Sequence, residues 1–194
     1  MDLVTPNIPG LVWAYQFHPG TAPCRRLAPD ARFHEVAECE GFFWLHLNLA
    51  DQRVAAFLET IDGLDPAARA SLTTHETHPS IVVDEKSLYG TLVDFQREFD
   101  KETRDFGWLH FAVSDRFIIT TRLQPLHSVD RLKAAADKNS SRYLTPSHVF
   151  EGLVAEFQRS LINLVMETTE ELNAIEDMVY DSENRDERRR LAPL

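Results

Sequence analysis

The sequence predicts an α/β protein: a mixed β-sheet with helices packed on its faces, followed by one long C-terminal helix. Three observations carry this. Beyond Pro146 a row recurs at Phe150, Val154, Phe157, Leu161, Leu164, Thr168, Leu172, Ile175 and Val179, apolar but for Thr168, in steps of three and four. Phe42–Asn48 (FFWLHLN) instead has the two-residue period of a strand, with Phe43, Leu45 and Leu47 on one face and Trp44, His46 and Asn48 on the other. The intervening elements run strand, strand, helix, helix, two hairpins, helix, which is not the strict alternation of a purely parallel fold.

Residues 1–10 contain Pro and Gly and read as loose. Leu11–Phe17 (LVWAYQF) is a strand ended by His18-Pro19-Gly20, and a second short strand surrounds Arg25–Leu27. After the strand at 42–48, Asp51 N-caps a helix over Gln52–Ile61, whose Val54, Phe57, Leu58 and Ile61 form one stripe. A second helix opens at Asp65-Pro66, with Pro at its first position, and runs to about Thr74. Ile81–Val83 and Leu88–Glu98 form a hairpin around Asp84-Glu85-Lys86-Ser87. Gly107–Ser114 and Phe117–Thr121 form another, turning at Asp115-Arg116. Ser128 caps a helix over Val129–Ala136, and the polar stretch Asp137–Arg142 leads to Thr145-Pro146. The organisation expected is an α/β domain over 1–145 and a stalk helix over 146–194. A helix of roughly 45 residues reaches about 65 Å at 1.5 Å per residue. It meets Leu191-Ala192-Pro193-Leu194 without a Gly or Asn cap, and so reads as a stalk cut in mid-course.

With 43% hydrophobic and 26% charged residues, the composition is that of a soluble globular chain. The net charge of −11 argues against a nucleic-acid partner, which needs clustered Lys and Arg. From Pro146 onward, eleven Asp and Glu face five Arg, so the stalk is acidic. That acidity suits a solvated helix face, and it also suits attraction of hard cations. Cys24 and Cys39 match no zinc-ligand spacing and suit a reducing, cytosolic setting. The N-terminus lacks the basic start and apolar run of a signal peptide, and no apolar run approaches the 18 or so residues of a membrane span.

Seven isolated glycines leave no phosphate-binding loop and no nucleophile elbow. The densest titratable cluster is His75-Glu76-Thr77-His78-Pro79. Two His three residues apart on a last helical turn could share a metal, with Glu76 or Asp84 completing the shell. The same residues also suit a helix end, where His favours the negative end of the dipole. His46 and His110 lie on strands and read as hydrogen-bonded sheet residues. On the stalk, Glu167, Glu170, Glu171, Glu176, Asp177, Asp181 and Glu183 could cage a cation only if several helices, or a helix and a neighbouring domain, come together. Arg185, Arg188, Arg189 and Arg190 read as solvated, or as the cytoplasmic flank of a membrane segment.

Four stretches together resemble the cytoplasmic domain of the CorA superfamily of divalent-cation transporters, particularly its ZntB-like branch. They are Trp44–Asp51 (WLHLNLAD), Glu76–Ser80 (ETHPS), Leu109–Leu126 (LHFAVSDRFIITTRLQPL) and the long helix with Glu-Leu-x-x-Ile-Glu-Asp at 171–177. His78 and Ser80 stand where relatives often carry Arg. The resemblance implies an α/β/α sandwich, and a stalk that continues into two membrane spans with a Gly-x-Asn loop. It further implies a homopentamer in the full-length protein, seated in the inner membrane with this domain cytoplasmic. Regulatory cations of that family lie on acidic residues between subunits. The metal candidates in this chain are His75, Glu76, His78, Glu176 and Asp177, for zinc or magnesium, with no catalytic and no cofactor-binding residue.

The expected function is therefore the assembly and cation-sensing domain of a zinc or magnesium transporter, with copies of itself and divalent cations as partners. A stand-alone coiled-coil scaffold and a metal-dependent enzyme centred on His75 and His78 are the alternatives. Two apolar runs of about 20 residues beyond codon 194 would separate the first from the others.

Overall fold

The computed structural model describes residues 8–18, 22–38, 40–75, 77–97 and 102–191. It holds two compact units, residues 1–157 and 158–194.

The first unit is an α/β/α sandwich. Its seven strands are β1 (Leu11–His18), β2 (Ala22–Arg26), β3 (Phe42–Asn48), β4 (Ser80–Val83), β5 (Leu88–Arg97), β6 (Glu102–Val113) and β7 (Phe117–Arg122). They form one sheet in the order β2-β1-β3-β7-β6-β5-β4. Neighbours pair antiparallel except β3 and β7, which run parallel from Phe43↔Phe117 to Asn48↔Arg122. This junction makes the sheet mixed. It joins the N-terminal strands to the meander β4–β7, whose successive strands pair in order.

β3 is apolar at nearly every position because the sheet is covered on both faces, as its unbroken burial from Phe42 to Leu47 shows. One face presents Phe43, Leu45, Leu47 and Ile119 to α1 (Phe33–Ala37), α2 (Arg53–Leu58) and α3 (Pro66–Thr73), through Val36, Val54, Leu58 and Leu72. The other presents Tyr15, Trp44, Phe111 and Ile118 to α4 (His127–Lys138) and the first turns of α5 (Pro146–Leu191), through Val129, Leu132, Val149 and Leu153. Two contiguous cores of this kind supply most of the stabilisation, at about 25 cal/mol per Å² of apolar surface removed from water.

The expected strands at 11–17, 42–48 and 81–83 and the long helix stand within a residue or two of the observed elements. The expected loose segment at 1–10 falls for residues 1–7 outside the described residues, as do Glu98 and Cys39. Other elements differ. α2 is shorter than expected, because Thr60 and Ile61 fold back with N–H bonds to Phe57 and Leu58, a tighter turn that ends the helix. Asp51 does serve its start: Oδ1 accepts the Arg53 N–H and Oδ2 the Gly10 N–H, both at 3.0 Å. The short strand β2 begins three residues earlier than expected. α1 has no counterpart among the expected elements, since five residues are too few for a helical period to register. β6 is twelve residues long rather than eight, and its long partner is β5, a pairing that each strand's own pattern leaves open.

Ser128 is not the cap of α4. It lies inside the helix, after His127, and the capping acceptor comes from across the fold. Asp94 Oδ2 accepts the Ser128 N–H at 2.9 Å, and its Oδ1 accepts the Ser128 hydroxyl at 2.7 Å and the Phe95 N–H at 2.8 Å. The carboxylate thus satisfies one of the helix's orphan N–H groups from a strand.

Candidate functional site

Polar chemistry in the first unit concentrates where β3 and β7 run parallel. His46 and Thr120 are opposite each other in the register, and both are fully buried on the face that receives α4. Arg122 Nε donates to His46 Nε2 at 3.0 Å. A guanidinium can only donate, so Nε2 carries the lone pair and the imidazole proton sits on Nδ1. Nδ1 lies 2.8 Å from Thr120 Oγ1 and donates to it. The same oxygen accepts the Trp44 indole N–H at 3.0 Å and donates its own proton to the Leu45 carbonyl at 3.3 Å. Trp13 stacks on the imidazole with ring centroids 4.1 Å apart. Burial, reinforced by the Arg122 charge, holds His46 well below its ordinary pKa, so the ring is neutral. Burial also lowers the pKa of Arg122, while Asp130 acts in the opposite sense. Asp130 itself is held by Arg97 Nη1 at 2.7 Å. Every polar atom of His46 and Thr120 is committed inside the core. The arrangement fastens the parallel junction and presents no free base or nucleophile.

A second pair sits further along the sheet. Thr91 Oγ1 and His110 Nδ1 are 2.9 Å apart, with both residues buried. Burial first and the His75 charge second bring the His110 pKa down to about 4. As expected, both strand histidines are hydrogen-bonded sheet residues. The hydrogen-bond partners of His46 lie 74 and 76 residues away, which no local pattern reveals; the only sequence signal is the polar Thr120-Thr121-Arg122 end of an otherwise apolar strand.

The metal candidates are placed differently from the sequence expectation. α3 ends at Thr73, so His75 and His78 lie beyond the helix in the segment leading to β4, not on its last turn. Both are exposed, and Glu76 lies outside the described residues. Glu176 and Asp177 are exposed on α5 and adjacent in sequence, so they point to different sides of that helix. Among the described residues, no group of three His, Cys, Asp or Glu is placed to hold a metal ion within one chain. An open groove of about 660 Å³ lies at the strand-end side of the first unit, between Phe42, Leu88, Val113, Leu144 and Pro146. Its polar rim mixes Lys86 with Asp84 and Asp115, so it selects no single charge.

In the second unit, α5 carries an exposed apolar row: Leu161, Val165, Leu172, Ile175 and Val179, with Thr168 in the remaining position. The steps are four, three, four, three and four, the spacing of a coiled-coil seam. Leu164, which the sequence reading places in this row, is half-buried, and Val165 is the exposed residue beside it. Asp181, Glu183 and the late arginines have side chains outside the described residues. No helix among the described residues is long and apolar enough to cross a membrane.

Comparison with known proteins places this architecture. No curated protein matches the sequence. Solved structures do match its fold. The full-length CmaX protein shares 22% identity at a TM-score of 0.78, over 91% of this chain and 54% of that one. The ZntB cytoplasmic domain from Vibrio parahaemolyticus shares 15% at 0.66, over 84% of this chain and 63% of that one. The soluble domain of CorA from Methanocaldococcus jannaschii shares 15% at 0.62, over 90% of this chain and 66% of that one. The chain therefore spans less than two-thirds of the length of each, and the likenesses concern the fold. The model of the CorA-like Mg2+ transporter protein family matches residues 39–194, from just before β3 to the end of the chain. With the sandwich, the parallel junction and the long helix in place, the chain belongs to the CorA-like Mg2+ transporter protein family.

Proposed function

We propose that this chain is the cytoplasmic assembly and cation-sensing domain of a divalent-cation transporter of the zinc or magnesium class, seated at the inner membrane through spans beyond residue 194. In this reading residues 1–145 form the regulatory body and 146–194 the start of the stalk. The observation that carries it is the exposed apolar row on α5 within the region matched by the family model. A solvated helix has no reason to present Leu, Val and Ile at seam spacing, and copies of the same helix side by side bury them.

Such packing also supplies a grouping that the described residues of one chain do not form. The carboxylates of Glu176 and Asp177 diverge on a single helix, whereas those of adjacent copies, or of a stalk and a neighbouring body, can converge on one hard cation. Cation binding would then favour one packing of the copies over another and bias the pore through the stalk, a coupling set by differential affinity for the two states. A homopentamer is the assembly this family resemblance favours. His75 and His78 are the alternative ligands, exposed and outside any helix.

The test is calorimetry and small-angle scattering on the 194-residue chain with MgCl2 and with ZnCl2. Binding accompanied by a change in particle size supports sensing, and its loss in Glu176→Gln/Asp177→Asn places the site on α5. Loss in His75→Ala/His78→Ala instead moves the site to the loop before β4. No binding of either ion up to millimolar concentration removes the sensing role. Leu172→Glu/Ile175→Glu is expected to shift the chain to a smaller species in sedimentation while leaving the melting of the first unit unchanged. An unchanged mass would refute assembly through α5.

A further inference from the structure

The sheet has two edges, and they differ. At one, β2 carries Pro23, which has no N–H to offer a partner strand, and exposed Arg25 and Arg26. Proline and charge are devices that keep an edge from pairing. At the other, β4 reads Ser-Ile-Val-Val, with no proline and no charge, and its Ile81, Val82 and Val83 are 58%, 42% and 78% exposed. Three consecutive exposed β-branched residues on an open edge are a template for another strand.

The backbone fixes which groups are on offer. Asp84 N–H donates to the Ser87 carbonyl at 2.8 Å, and the β4–β5 register is regular from Val83↔Leu88 to Ser80↔Thr91. Groups alternate sides along an antiparallel ladder, so residues 80, 82 and 84 turn theirs to β5. Ile81 and Val83 turn their N–H and C=O outward.

We propose that β4 is a self-pairing edge: two copies of the chain join β4 to β4 antiparallel about a two-fold axis, with Val82 facing Val82 and Ile81 facing Val83. A two-fold axis normal to the sheet keeps each face on its own side, so opposed residues must share a face. That leaves registers centred on a residue. Centring on Ile81 places Val83 opposite Pro79, which cannot donate. Centring on Val82 pairs every outward N–H with an outward C=O, sets each apolar side chain against another, and puts Ser80 opposite Asp84, so no like charges meet. Pairing stops at two copies because the β2 edges remain guarded. An isologous contact cannot join neighbours around an odd-numbered ring, so this one links two chains or two assemblies back to back. It is independent of the α5 row and of the transporter reading.

Disulfide trapping tests the register. In the 194-residue chain, Val82→Cys places two thiols in a non-hydrogen-bonded antiparallel pair, where Cα atoms lie about 4.5 Å apart and a disulfide closes without strain. Ile81→Cys places its thiols two residues out of register, beyond bridging distance. Mild oxidation, followed by non-reducing electrophoresis and mass-spectrometric mapping, is expected to link 82 to 82 about tenfold faster than 81 to 81. Both positions are exposed, and unchanged thermal melts check that each variant folds. Independently, Val82→Lys is expected to remove this dimer from sedimentation profiles. Equal trapping rates, absence of an 82–82 link, or an 82–Cys24 link would each overturn the proposal, the last by showing head-to-tail pairing of β4 with β2.

Discussion

Asp94 gives the sharpest test of how this fold is held together. Its carboxylate is 2% exposed and accepts three donors: the Ser128 N–H, the Ser128 hydroxyl and the Phe95 N–H, at 2.9, 2.7 and 2.8 Å. Asp94→Ala strips the acceptor from the start of α4, a loss of about 0.5–2 kcal/mol for a helix cap. It also leaves a buried hydroxyl, on a residue 1% exposed, without its acceptor, about 1–3 kcal/mol more. The removed carboxylate returns part of this, because burial is the main cause that raises its pKa, against the opposing bonds from Ser128 and Phe95. The expected net cost is about 2–4 kcal/mol. Asp94→Asn keeps one side-chain oxygen and should cost about half as much. The pH dependence carries a second signature. A carboxyl whose folded pKa is raised contributes stability that is full below its unfolded value near 3.8 and is lost as pH rises through the folded pKa. Wild type should therefore lose stability relative to Asp94→Asn across that interval. Urea unfolding followed by circular dichroism, from pH 3.5 to 8, measures both. An Asp94→Ala variant within about 0.5 kcal/mol of wild type would refute the claim that Asp94 anchors α4.

Two further perturbations read other parts of the sheet. The folded His110 pKa, about 4 against 6.5, means that its contribution is full above pH 6.5 and is lost as pH falls toward 4; urea midpoints at pH 7 and 5 should diverge less in His110→Gln, and an NMR titration of His110 near 6.5 would contradict this. Gly90→Ala places a Cβ 1.9 Å from the Ser80 carbonyl oxygen, so β4 must move; a loss of about 2 kcal/mol or more and faster amide exchange at Val82 are expected, and an unchanged melt would show that the strand accommodates it.

The family match spans residues 39–194, so the chain's own N-terminal strands β1 and β2 lie before it, although β1 is paired directly to β3. The domain is thus continuous across that boundary. His46 shows the join: Thr120 of β7 bonds its ring from one neighbouring strand, and Trp13 of β1 stacks on it from the other.

By itself the sequence determined the elements whose signal is local. The dense aromatic and aliphatic run Phe42–Leu47 wrote β3, Asp65-Pro66 opened α3, and three-four spacing marked α5, because each of these signals lies within one element. Two histidines on strands read as sheet residues for the same reason. What only the tertiary structure decided is where one segment meets another. The parallel pairing of β3 with β7, the reach of Asp94 to Ser128 across 34 residues, and the lock of Arg122 on His46 across 76 all depend on chain closure and burial. No short window contains both partners of such a contact. Ser128 reads as a cap because its own residue type caps helices; the fold instead brings a carboxylate from β5 to that position, where a buried N–H has to be satisfied.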